Sequence, residues 1–214
     1  MSATRIKSNG GGYVNMPIPR VGEIDIQDIA HALSNQCRCA GWTKVFFSVA
    51  QHSCEVGTLC YKEAKAQGHL NPARAGLAGL LHDAPETYYQ DIISPTKIML
   101  GEAYTAISVP ADEAVYTGLD VVSIMKENDK LVRWADLEML ASDMARWDVF
   151  GTIKSHSGYT FEVRDHGKLP PPFVLRFGNA LPMEPTVACN MFLTLYQVYT
   201  KEIESKRTIS LTLN

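Results

Sequence analysis

Two ionisable residues sit on helical faces that are otherwise apolar, and they constrain this chain more than any other feature of its sequence. His52 follows Val49 by three residues and precedes Val56 by four, so a helix points all three the same way. Asp136 lies on the face shared by Val132 and Leu140. A carboxylate directed into an apolar interior is costly unless a cation, a partner or a proton compensates it. For His52 alone, a hydrogen-bonded core histidine competes with a functional reading. For Asp136 the competitor is an internal salt bridge with Arg133 or another arginine.

The surrounding pattern is helical almost throughout. Asp25 is placed to cap a helix whose stripe is Ile26, Ile29, Ala30 and Leu33. Ser48 and Gln51 have the form of a capping box ahead of Val49, Val56, Leu59 and Cys60. Asn71-Pro72 supplies a cap and first-turn proline for a third helix through Leu77, Leu80 and Leu81 that ends near Pro85. Pro95 and Pro110 mark further starts, and apolar spacing predicts helices over 111–125 and 131–144. A last helix fits 186–206, with Val187, Met191, Leu195 and Val198 on one face. Residues 1–20 read as an irregular arm, and strand formers with Ser157-Gly158 predict a small β-hairpin within 149–177. With no repeat or linker, the 214 residues read as one all-α domain.

A formal charge of −3 excludes a basic nucleic-acid-coating role, and no apolar run approaches the roughly 20 residues that cross a bilayer. The expectation is a cytoplasmic protein with no membrane partner. Five cysteines without a C-x-x-C pair read as reduced thiols and not as a zinc site. Neither a phosphate-binding glycine loop nor a G-x-S-x-G nucleophile elbow occurs.

His82-Asp83 joins the buried run Leu80-Leu81, so three helices each deliver metal-type ligands inward: His52, His82 with Asp83, and Asp136. Two imidazoles and two carboxylates suit a divalent ion such as Zn, Co, Mn, Fe or Ni, with Mg possible. Neighbours on a regular helix diverge by about 100°, so His82 and Asp83 converge on one ion only at a helix end, which Pro85 provides. His31, beside the stripe of the first helix, is a weak further candidate, and His69, His156 and His166 stand in polar, turn-like contexts.

His52, His82-Asp83 and the distant Asp136 resemble the H…HD…D pattern of the HD-domain metal-dependent phosphohydrolases, an all-helical superfamily. Leu81-His82-Asp83-Ala84-Pro85-Glu86, then Asp91, then Ser94-Pro95-Thr96-Lys97, is similar to the 5′-deoxynucleotidase branch and to the phage dATP triphosphohydrolases. The resemblance covers residues 25–145. It implies that Glu86 helps to activate the attacking water, that Arg38 and Lys97 contact phosphate, and that Asp91 lies near the substrate sugar or additional metal ions. Cys39, Ala40 and Gly41 stand where bacterial deoxynucleotidases carry a tryptophan after the arginine.

The expected protein is therefore an HD-domain helical bundle and a homo-oligomeric enzyme. It uses a divalent metal to remove 5′-phosphates from a small-molecule deoxynucleotide, with a triphosphate, dATP, favoured and no nucleic acid polymer as partner. A monophosphate-specific 5′-deoxynucleotidase shares all these residues. A non-catalytic module retaining a structural metal is the remaining alternative, against which Glu86 argues.

Overall fold

Local signals start the helices in the computed structural model, which describes residues 4–146, 152–154, 160–162 and 181–212. The Asp25 carboxylate accepts the Gln27 N–H at 2.8 Å and opens α1 (Ile26–Asn35), which buries Ile29, Ala30 and Leu33. Ser48 Oγ accepts the Gln51 N–H at the start of α2 (Val49–Ala66). The reciprocal half of that capping box is missing. Gln51 Nε2 instead donates to Glu55 Oε1 and to Leu181 C=O, and its Oε1 accepts the Met183 N–H at 2.8 Å. Asn71 occupies the cap position of α3 (Pro72–Leu81) without a side-chain cap bond, so Pro72 in the first turn carries that start alone.

Helices α2 and α3 form the centre. Every residue from 49 to 57 is buried, and so is nearly all of α3. The two backbones approach closely enough to require glycine. A Cβ at Gly57 would lie 2.9 Å from Gly76 O, and one at Gly79 would lie 3.0 Å from Gly57 Cα. Around this pair stand α1, α7 (Val122–Arg146) and α8 (Pro185–Thr212). The short α4 (Glu86–Tyr89), α5 (Ser94–Leu100) and α6 (Glu102–Gly118) close one side.

Three expectations change. Pro110 begins no helix but lies inside α6. The carbonyl that loses its bond belongs to exposed Ala106, where water can serve. The helix break falls at 119–121, where Asp120 adopts φ 54°, with Asp120 N–H bonded to Thr117 C=O and Val121 N–H to Tyr116 C=O. That Schellman turn separates α6 from α7, so Met125 and the 131–144 segment share one helix. In α8 the inward face is Ala188, Phe192 and Tyr199, while Val187 and Val198 are half exposed. The larger aromatic area wins the core position. Gly76 makes room for it, since a Cβ there would meet the Tyr199 ring at 2.8 Å.

The N-terminal arm is more ordered than expected. Strand β1 (Arg5–Lys7) pairs antiparallel with β2 (Tyr13–Asn15), Ile6 opposite Val14, and Val14 joins the core. Glu23 ties the hairpin down by accepting from Asn15 Nδ2 at 2.7 Å and from Arg5 at 3.3 Å. The second hairpin pairs β3 (Thr152–Lys154) with β4 (Thr160–Glu162), and the rest of the expected 149–177 element lies outside the described residues. All five cysteines are free, and among the described residues no helix is long and apolar enough to cross a membrane.

Gly57→Ala is expected to lower stability by about 1–3 kcal/mol, because the methyl meets fixed backbone on α3. The check is a fall in the urea midpoint at unchanged m-value.

Candidate metal centre

Helix α2 carries His52, with no exposed surface, into the middle of the bundle. Helix α3 ends at Leu81, so His82 and Asp83 occupy the turn that leads through Pro85 into α4. In that turn the two side chains need not diverge as they would on a helix, and they converge. His52, His82 and Asp83 each offer a ligand atom within 4.8 Å of the others. The two imidazole rings stand 5.4 Å apart, centroid to centroid. From α7, Asp136 Oδ1 comes to 3.0 Å from His52 Nε2 and 3.6 Å from His82 Nε2.

The outer nitrogens of both histidines are held by the protein. His82 Nδ1–H donates to Gly79 C=O at 2.8 Å, which leaves Nε2 as the ligating nitrogen; that Nε2 is buried, 3.2 Å from Asp83 Oδ1, and makes no hydrogen bond of good geometry among the described residues. His52 Nδ1 lies 2.8 Å from Asp143 Oδ2. Asp143 is buried, and sequence reading missed it. The signal was present, because Asp143 lies two helical turns beyond Asp136 on the same face of α7. Two imidazole nitrogens and a carboxylate brought together in the interior, with the outer nitrogen of each ring held, make a mixed N/O donor set that fits a divalent ion.

Charge balance supports the fit. Burial and the Arg38 charge push the His52 pKa down, but hydrogen bonds to Asp136 and Asp143 more than reverse this and leave it raised. Burial also works against the proton on His82, and the Asp83 charge overcomes it, so His82 rises well above its ordinary value. Burial opposes ionisation of Asp83 and Asp136, yet His82 and Arg38 hold the first, and His52 and His82 the second, well below the carboxylate range. The carboxylates thus demand positive charge at this point. Imidazole protons and Arg38 supply it in competition with a divalent cation.

Arg38 is buried and bridges the site, with Nη1 at 3.1 Å from Asp83 Oδ2 and Nη2 at 3.4 Å from Asp136 Oδ1. It therefore replaces Arg133 as the arginine partner of Asp136; Arg133 stands on the surface, 4.0 Å from Asp129. Arg38 leads into a tight turn in which Cys39 and Ala40 take φ of 55° and 52°. Left-handed backbone costs a non-glycine residue about 1–2 kcal/mol. Asp91 Oδ2 accepts the Cys39 N–H there at 2.8 Å.

Glu86, at the start of α4, is buried and outside the ligand cluster. Its Oε1 lies 3.2 Å from Lys97 Nζ, and its Oε2 has no partner among the described residues. Burial, then the charges of Asp83 and Asp91, raise the Glu86 pKa well above the carboxylate range against the pull of Lys97 and Arg38. Lys97 sits 5.4 Å over the Tyr104 ring. Burial disfavours its charge, but Glu86 more than compensates, so its pKa is raised.

Asp136 is less enclosed than its apolar face predicts, because a third of its side chain opens onto a cleft of about 870 Å³ between α6 and α7. Val109, Tyr116, Met125 and Val132 line that cleft, with His82 and Asp136 at one end. On its wall Tyr89 O–H donates to Asp112 at 3.0 Å, and burial moves the Asp112 pKa up to about 6. His31 is exposed beside the N-terminal hairpin and His69 is exposed, while His156 and His166 lie outside the described residues.

Asp143→Ala is expected to weaken divalent-metal affinity about 10- to 100-fold, as loss of a histidine-orienting carboxylate does elsewhere. Cobalt titration by calorimetry checks this, and an unchanged affinity counts against the orienting role.

Comparison with known proteins matches the HD domain family to residues 49–161, more than half of the chain, a span that includes His52, His82, Asp83 and Asp136. The chain is 36% identical over 121 residues to the uncharacterized protein YfdR of Escherichia coli, covering 56% of this chain and 60% of that protein. It is 34% identical over 117 residues to an uncharacterized protein of Rhodobacter capsulatus, covering 54% and 58% respectively. The matches thus span about three fifths of each relative's length.

Proposed function

The chain belongs to the HD domain family of metal-dependent phosphohydrolases, and from that premise we propose that it removes 5′-phosphates from deoxynucleotides as a deoxynucleoside triphosphate triphosphohydrolase, with dATP the favoured substrate. The observation that carries the reading is the convergence of His52, His82, Asp83, Asp136 and Arg38 at one end of an open cleft large enough for a nucleotide. In this proposal His52, His82, Asp83 and Asp136 hold the divalent ion, which supplies a lowered pKa for water and polarisation of a phosphoryl oxygen.

The remaining steps belong to the chain. Glu86, whose environment makes it a strong base once ionised, takes the proton of the attacking water through its unpartnered Oε2. The Arg38 fork turns its donors from Asp83 and Asp136 to the substrate phosphate, and Lys97 adds a point charge beside it. The cleft between α6 and α7 takes the nucleoside. The triphosphate reading rests on two cations beyond the metal ligands and on Cys39, Ala40 and Gly41 replacing the deoxynucleotidase tryptophan. Product analysis over the four dNTPs and dNMPs with Co, Mn, Zn and Mg tests it. Release of inorganic phosphate from dNMPs alone would establish the monophosphatase reading instead.

Two variants assign roles. Glu86→Gln is expected to keep metal while losing turnover by about 100-fold or more, whereas Asp136→Ala loses both. Elemental analysis alongside single-substrate kinetics separates the two, and near-normal turnover in Glu86→Gln would remove Glu86 from the mechanism. Lys97→Ala is expected to raise the KM for dATP more than for dAMP, because the lost contact is to the outer phosphates. Equal effects on the two substrates would point to the monophosphate.

A further inference from the structure

Three consecutive residues after Arg38 have left-handed backbone: Cys39 at φ 55°, Ala40 at 52° and Gly41 at 80°. Only the last is glycine. Such a run persists where the surroundings over-determine it, and it concentrates at functional sites. Backbone bonds hold its two ends, Arg38 N–H to Phe47 C=O at 2.8 Å and Trp42 N–H to Cys39 C=O at 3.1 Å. The side chain that holds its middle comes from across the site, where Asp91 Oδ2 accepts the Cys39 N–H. Asp91 itself follows Gln90, another left-handed residue at φ 74°, whose N–H closes α4 on Glu86 C=O at 2.7 Å. One hydrogen bond thus joins the strained turn that aims Arg38 to the strained turn that follows Glu86.

We propose that Asp91 is a positioning residue, acting through Arg38: its carboxylate locks the turn 38–41 and so fixes the base from which the guanidinium fork, now beside Asp83 and Asp136, turns to the phosphate. This rests on the reading of Arg38 as a phosphate contact. A bidentate fork gains its strength only in fixed geometry, and a displacement of about 1 Å in such a group costs rate far beyond the contact itself. The turn needs an acceptor at Cys39 N–H and not a negative charge. An asparagine oxygen meets that need, whereas a role that depends on the negative charge would not survive the exchange.

The test is a double-mutant cycle on the full chain with cobalt and dATP, using Arg38→Ala, Asp91→Ala, Asp91→Asn and the Arg38→Ala/Asp91→Ala double variant. Asp91→Ala is expected to raise the KM for dATP about tenfold with a smaller change in kcat, and to add nothing on the Arg38→Ala background. Asp91→Asn is expected to recover most of that loss. A second readout needs neither metal nor turnover: the alkylation rate of Cys39, half-buried in the locked turn, read by mass spectrometry on the tryptic peptide that begins after Arg38. It is expected to rise about tenfold in Asp91→Ala and to stay near wild type in Asp91→Asn. Asp91→Asn as damaging as Asp91→Ala, multiplicative costs of Arg38→Ala and Asp91→Ala, or unchanged Cys39 alkylation in Asp91→Ala would each overturn the proposal. An unchanged KM in Arg38→Ala with faster Cys39 alkylation in Asp91→Ala would fault the phosphate role of Arg38 and leave the turn lock standing.

Discussion

The glycine contact between α2 and α3 is the constraint on which the site depends. With Gly57 against the backbone of Gly76 and Leu80, the two helices lie closer than any side chain larger than hydrogen permits. His52 stands little more than a turn before that contact on α2, and His82 just after it, in the turn that follows α3. The crossing therefore determines how far apart the two imidazoles are, and it brings their ring centroids to 5.4 Å. A wider crossing would leave two buried histidines and no common point for an ion.

Once the helices are so close, electrostatics governs what the pocket accepts. Asp83 and Asp136 enter the interior from different helices, and burial alone would drive their protons back on. Instead the imidazoles and Arg38 hold Asp83 and Asp136 ionised. Glu86 is moved the other way, because its neighbours Asp83 and Asp91 add to burial in raising its pKa, against the pull of Lys97 at 3.2 Å and of Arg38. Carboxylates within one small site are thus pushed in opposite directions, as the proposed division between ion-holding and proton-accepting roles requires.

The site also joins segments with different mechanical character. His52 lies on a regular buried helix, and His82 and Asp83 lie in the turn that follows another. Arg38 depends on a turn that is unfavourable by itself and is held by long-range bonds. Loss of a single tether is thus expected to disturb Arg38 before it disturbs the histidines, since the former has little local structure to fall back on.

Much of this was legible in the residues alone. Caps at Asp25 and Ser48, the starts at Pro72 and Pro95, and His52 on an apolar face depend on neighbours a few positions away, and periodicity reports them directly. The break at Asp120 was not legible, since its bonds to Thr117 and Tyr116 form only with a left-handed aspartate that no rule required. Neither was the inward face of α8, which the space over Gly76 decides in favour of Tyr199. By itself the sequence determined the helices that carry His52, His82 and Asp83 and that metal-type side chains must enter their core, because hydrophobic period and capping are local properties. Tertiary structure alone decided that Asp143 steadies His52, that Arg38 rather than Arg133 meets Asp136, and that Asp91 holds the turn behind Arg38. Each of those pairings joins residues far apart in the chain, and only the packing of α2 and α3 with α7 and the turns beside them brings their polar atoms within hydrogen-bonding reach.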